Sequence, residues 1–184
     1  LTVATEVGYY GMAEKFIMAG ISFIQPVGQI LLGKISKELK SKESEKNAFV
    51  LMKKGIIGLI TFGCAASIIV TLLSPYFIPF IVGPAFVKSI PVLQVLGLIL
   101  PFAACNQALS TYVFLPLRKD RYLIRASVIN LFISSVGLIY YISFSNVNSL
   151  VFANIRVLSE AFSCLFLMFV ILRLKLLSKI LKST

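Results

Sequence analysis

Five stretches of this chain are apolar enough, and long enough, to leave water altogether. They cover about residues 9–33, 55–76, 90–115, 123–144 and 150–172. A helix needs about 20 predominantly apolar residues to cross the hydrocarbon core of a bilayer, because nothing there can pair a backbone group except the helix itself. Hydrophobic residues make up 58% of the 184 and charged ones only 14%, and the mean hydropathy is +0.94. A water-soluble domain of this size leaves too much surface exposed to hide so many apolar side chains. The expected fold is therefore all-α: a polytopic membrane helix bundle of about five spans, forming one unit over residues 1–184. Between the second and third spans, residues 74–91 carry prolines at 75, 79, 84 and 91. That spacing argues against one continuous helix and for a short interfacial or partly re-entrant connection.

The charges orient the bundle. Seven lysines lie in residues 34–54, four basic residues in 117–125 and four more in the tail from Arg173, so that fifteen of the 18 Lys and Arg fall on one side. Short cytoplasmic loops retain Lys and Arg, which predicts an outside start and a cytoplasmic C-terminus. The net charge of +11 is thus distributed as a membrane protein distributes it, in blocks between apolar segments. Nucleic-acid binding, which needs basic residues gathered on one folded face, is not expected. The basic loop 34–54 also suits contact with anionic membrane lipids. No signal-peptide pattern opens the chain, and the start at Leu1 in mid-pattern reads as a piece of a longer protein. Cys64, Cys105 and Cys164 sit singly in apolar runs and there is no His. They are expected to pack as small hydrophobes, with no metal site, no cofactor and no Cys/His catalytic pair.

Polar residues inside the spans are the candidates for function, because a charge in the bilayer core is costly and tends to face an interior cavity. Away from the loop margins four charges lie within spans: Glu14, Lys15, Arg156 and Glu160. In the first span Gly8, Gly11, Lys15, Ser22, Gln25 and Gln29 recur at helical steps and share a face. Glu14 points about 100° away from Lys15 and must find its own partner. Pro26 is expected to kink this helix. In the third span Asn106, Gln107, Ser110 and Thr111 cluster; in the fourth, Ser127, Asn130, Ser134, Gly137 and Tyr141 form a stripe. In the last, Arg156, Ser159, Glu160 and Ser163 do the same, with Arg156 and Glu160 spaced to pair along one face. Such stripes can converge on a common interior, and the uncharged members can equally serve as interhelical hydrogen-bonding glue. Gly55, Gly58 and Gly63 in the second span read as close helix packing.

The run EVGYYGMAEKF followed by FIQPVGQILLGKISK resembles the seventh-to-eighth helix region of Wzx-type O-antigen flippases. These belong to the polysaccharide-transporter branch of the multidrug/oligosaccharidyl-lipid/polysaccharide exporter superfamily. The matching residues are Gly8, Tyr9, Tyr10, Gly11, Ala13, Glu14, Lys15 and Pro26. Residues 81–102, IVGPAFVKSIPVLQVLGLILPF, look like that family's ninth-to-tenth connection and tenth helix. The resemblance implies the C-terminal lobe of a twelve-helix transporter, with the N-terminal lobe missing. It implies a flippase, not an enzyme, that moves undecaprenyl-diphosphate-linked oligosaccharide across the bacterial inner membrane by alternating access, beside other polysaccharide-assembly membrane proteins. Lys15, Gln25, Gln29, Asn106, Gln107 and Arg156 would then line the substrate cavity, and Glu14 or Glu160 would couple an ion. The residues leave open a relative exporting small molecules or another lipid-linked precursor. A membrane-embedded polymerase or glycosyltransferase of the same pathway is also open, although it would need more acids or a larger outside loop.

Overall fold

Apolar segments with no solvent partner for their amides close their own hydrogen bonds, and helices result. The computed structural model describes residues 3–39, 45–144 and 148–174; the side chains of 3, 23–25, 27, 28, 45 and 142–144 lie outside the description. Among the described residues six α-helices follow one another: α1 (Val3–Glu38), α2 (Glu45–Phe77), α3 (Ile90–Gly97), α4 (Ile99–Leu109), α5 (Asp120–Phe144) and α6 (Ser149–Arg173). No strand occurs among the described residues, so the chain is an all-α polytopic bundle. Four segments among the described residues are long and apolar enough to cross a membrane: Lys46–Val82, Pro84–Phe114, Asp120–Tyr141 and Ser149–Arg173. The other expected span, 9–33, falls wholly within α1, which runs on through Pro26. At 36 residues and about 1.5 Å each, α1 outreaches a hydrocarbon core of about 30 Å.

The connection expected at 74–91 is helical almost throughout, and its break falls at a glycine, not at the prolines. Pro75 lies inside α2, and Pro79 inside a π-helical turn, Ile78–Val82, that prolongs it. The chain reverses at Gly83, where φ is +104°, a backbone region that only glycine enters without a Cβ clash. Pro84 then opens a 3₁₀ turn, Pro84–Ser89, and Pro91 sits in the first turn of α3. Each of these two prolines lies where no amide is needed for an intrahelical bond. The expected third span, 90–115, is made of three pieces. α3 and α4 meet at Leu98, and α4 passes into a π-helical turn, Ser110–Phe114. That turn ends in a Schellman arrangement: Lys119 N–H donates to Phe114 O at 2.9 Å and Arg118 N–H to Leu115 O at 3.1 Å. Arg118 takes the left-handed φ of 53° such a cap requires.

Two buried clusters hold the bundle, one at each end. The first joins Ile35 of α1, Met52 of α2, Tyr112 and Phe114 of the π turn, Ala126 of α5 and Leu167 and Ile171 of α6. Its end carries the basic loops. The second joins Ala13 and Ile17 of α1, Ile78 after α2, Val92, Leu93 and Leu96 of α3 and Ala153 of α6. Edge-to-face aromatic pairs at this end, Phe16 on Phe77 and Phe152 on both Tyr10 and Tyr141, extend the packing. The backbones of α2 and α4 approach closest at Gly63, where a methyl group would sit 2.5 Å from the Ala104 Cβ and 2.9 Å from the Leu100 carbonyl oxygen. Between the two clusters, at mid-depth, the packing opens, and there the polar residues gather.

Candidate functional site

Glu160 lies midway along α6, and both oxygens of its carboxylate are satisfied by neutral donors. Asn106 of α4 donates from Nδ2 to Oε1 at 2.8 Å, and Asn130 of α5 donates from Nδ2 to Oε2 at 2.9 Å. The Asn106 amide also reaches the Glu160 carbonyl at 3.3 Å. One acid thus ties three helices together. The charge fixes the orientation of both amides, since turning either would set a carbonyl oxygen against a carboxylate. Asn106 Oδ1 is left buried without a donor. Hydrogen bonds to an ionised acceptor are about twice as strong as neutral ones, so a carboxylate at this position ties the three helices more firmly than a neutral amide would.

A cavity of about 500 Å³ opens beside this cluster, between α4, α5 and α6. Asn106, Ser127, Asn130, Arg156, Glu160 and Ser163 supply its polar wall. A second, of about 270 Å³, lies on the α1 side of α4, where Met18 and Ile21 face Asn106, Gln107 and Glu160. Ser110, the first residue of the π turn, lines both; π turns recur at functional positions because they re-aim side chains. A third cavity, of about 300 Å³, sits further toward the second core cluster and is mostly apolar. Val7, Leu138, Phe152 and Ile155 form its walls, with Glu6, Tyr10, Ser134 and Arg156 around them.

The polar stripes of α4, α5 and α6 therefore do converge, as their spacing allows. Ser127, Asn130 and Ser134 of α5 line the central cavity, while Gly137 lets α5 approach Ile155 and Tyr141 packs on Phe152. Ser159 is buried and donates to the Arg156 carbonyl at 2.9 Å. Gln107 donates to Thr111 Oγ1 at 3.1 Å. The stripe of α1 does not join them. Lys15, Ser22 and Gln29 are exposed and line none of the three cavities, and no atom approaches the faces of Gly8 or Gly11. Glu14 is half-buried, and among the described residues no hydrogen bond or ion pair engages it. Gln25 falls among the side chains outside the description.

The expected pairing of Arg156 with Glu160 is not what forms. The Glu160 carboxylate is taken by the two asparagines, and Arg156 makes no ion pair among the described residues. The only other acid on its cavities, Glu6, is also engaged: Ser149 at the start of α6 donates to it from the hydroxyl at 2.6 Å and from the amide at 3.0 Å. These donors hold the Glu6 carboxyl below the usual carboxylate range. Arg156 is left as an exposed guanidinium on the walls of two cavities. The structure also joins two cysteines that sequence spacing keeps apart. Cys105 and Cys164 are both free and buried in the first core cluster across the α4–α6 contact, one residue from Asn106 and one turn from Glu160. No sequence signal announces either contact, because both depend on the register of α4 against α6.

No family model, no curated protein and no solved structure matches this chain.

Proposed function

We propose that this bundle is a transport lobe that carries undecaprenyl-diphosphate-linked oligosaccharide from the cytoplasmic to the outer leaflet of the bacterial inner membrane by alternating access, with its C-terminus cytoplasmic. The observation that carries the reading is Arg156. It is a permanently charged guanidinium with no carboxylate partner among the described residues, on the wall of a cavity lined by asparagine and serine within a membrane-spanning bundle. A diphosphate taken out of water needs compensating positive charge, and guanidinium matches phosphate oxygens in geometry as well as charge. Amides and hydroxyls suit the hydroxyls of a sugar chain. The open α1 face bearing Gly8, Gly11 and Lys15 supports the same reading, as a surface left free to border a wider pathway. Lys15, with Gln29 further along that helix, would meet the anionic part of the substrate there.

Glu160 is the group best placed to couple transport to an ion. While ionised it accepts from Asn106 and Asn130; a proton or a metal cation on its oxygens would displace at least one amide and loosen α4 or α5 from α6. The unpaired Asn106 Oδ1 offers an acceptor for that state. Deleting the natural protein from its cells and extracting the lipids tests the proposal. Lipid-linked oligosaccharide should accumulate on the cytoplasmic side and surface polysaccharide should fall, both restored by wild type and not by Arg156→Gln. Normal lipid pools and normal surface polysaccharide in the deletion would refute it.

A second reading draws on Glu160 alone. A carboxylate on the walls of two cavities suits a small organic cation, and the bundle would then belong to an exporter of such molecules. Raised sensitivity of the deletion strain to lipophilic cations, with unchanged lipid-linked sugar, would favour it.

A further inference from the structure

Arg156 and Ser134 line two cavities of opposite character. On one side is the apolar pocket of about 300 Å³ walled by Val7, Leu138, Phe152 and Ile155. On the other is the cavity of about 500 Å³ with its asparagine and serine wall. The order along the bundle is hydrocarbon surface, cation, then a hydrogen-bonding surface of asparagine and serine around the engaged Glu160 carboxylate. Arg156 is seven residues into α6, about 10 Å below its start, so this junction lies within the membrane and not at its surface.

We propose that the two cavities form one seat for an anionic glycolipid. The hydrocarbon nearest the phosphate lies in the apolar pocket, the phosphate meets Arg156 and Ser134, and the sugar head occupies the asparagine- and serine-lined cavity. The choice of a polyprenyl diphosphate as that glycolipid rests on the flippase reading; the arrangement of the seat rests on the geometry. Charge complementarity names the occupant. Among the described residues Arg156 forms no ion pair, whereas donors already engage both carboxylates on these walls, Ser149 on Glu6 and the asparagines on Glu160, so the guanidinium is the charged group at the junction left open to an anion. Ser134 Oγ supplies a second, independent sign: it is buried at the junction with no hydrogen-bond partner, and buried hydroxyls are seldom left so. It can donate to a phosphate oxygen. A ligand with its phosphate inside a polar head, such as a glycerophospholipid with two chains, does not match this single file of chain, anion and sugar.

Photolabelling of the purified natural protein in detergent tests the seat. The probe is farnesyl diphosphate linked to one hexose, with a benzophenone on the farnesyl chain, and labelled sites are mapped by mass spectrometry. Labels should fall around Val7, Leu138 and Phe152, and excess phosphatidylglycerol should not remove them. Filling the pocket with Val7→Trp or Leu138→Trp should weaken binding of the farnesyl probe by about tenfold. The same variants should bind a hexose methyl diphosphate, which has no chain, as wild type does, which also shows them folded. Labels elsewhere in the protein, or removal by phosphatidylglycerol at equal concentration, would overturn the proposal even if neither Trp variant folds. Undiminished farnesyl binding by folded Trp variants would overturn it as well. If the seat labels as expected but the deletion strain keeps normal lipid-linked sugar, the flippase reading fails and the seat stands. If lipid-linked sugar accumulates and the labels fall elsewhere, the reverse holds.

Discussion

At the scale of single residues, Glu160 decides the geometry of the site. Two asparagines on two helices donate to one carboxylate, so removing a donor leaves charge uncompensated beside a cavity. Asn130→Leu should destabilise the purified protein by about 1.5–3 kcal/mol, the range for hydrogen bonds to charged groups. In a Glu160→Gln background the same change should cost less than half as much, read by thermal unfolding in detergent; equal costs in both backgrounds would mean Asn130 matters only for packing. Glu6 gives a prediction with pH. Its carboxyl is held below the usual range by the Ser149 hydroxyl and amide, so its contribution to stability is present when it is ionised. That contribution is complete above the ordinary glutamate pKa of about 4.3 and is lost as pH falls through the lowered folded value. Wild type should therefore exceed Glu6→Ala in unfolding temperature at pH 7, and the gap should narrow on acidification below pH 4. A gap that widened in acid would refute the contact.

At the scale of elements, close approach between helices depends on particular glycines. Gly63→Ala forces a methyl group against Ala104 and the Leu100 carbonyl, and overpacking of this kind costs about 1–3 kcal/mol. Gly58, five residues earlier, has open space around it, so Gly58→Ala should be neutral or stabilising by up to about 1 kcal/mol. Differential scanning fluorimetry of the two variants separates them, and equal effects would contradict the α2–α4 contact. Much of this level was legible in the sequence. The stripes of α4, α5 and α6 share faces because helical periodicity leaves them no choice, and Gly55 and Gly63 read correctly as packing residues, whereas Gly58, read the same way, is not one. The prolines of 74–91 argue rightly against one continuous helix, but the break falls at Gly83 through its positive φ, while Pro75 and Pro79 stay inside helical turns. The partners of Glu160 were not legible. Arg156 stands at the right spacing to pair along α6, but that spacing does not reveal two amides on neighbouring helices that reach the carboxylate first. The stripe on α1 is real as a face, yet nothing in its spacing says whether the face turns toward the other helices or away.

At the scale of the whole molecule, the membrane-spanning bundle has two ends, and the proposed function requires the basic one to face the cytoplasm. The orientation can be tested with single cysteines in a background lacking the three native ones. Cysteine at Lys37 or Arg118 should resist a membrane-impermeant thiol reagent in intact cells, while cysteine at Lys88 or Asn148 should react; all four positions are exposed. Uniform labelling would overturn the placing of the basic loops in the cytoplasm. The central claim is that this protein moves a polyprenyl-diphosphate sugar between leaflets, with Arg156 meeting its phosphate. It is measured most directly in liposomes holding the purified natural protein and a polyprenyl-diphosphate sugar with a fluorescent head, by adding a reductant that bleaches only the outer leaflet. Wild type should carry bleaching well past half of the fluorescence as inner-leaflet molecules cross, and Arg156→Gln should stop near half, as protein-free liposomes do. Bleaching that stops near half with wild type, or that is unaltered by Arg156→Gln, would contradict the account.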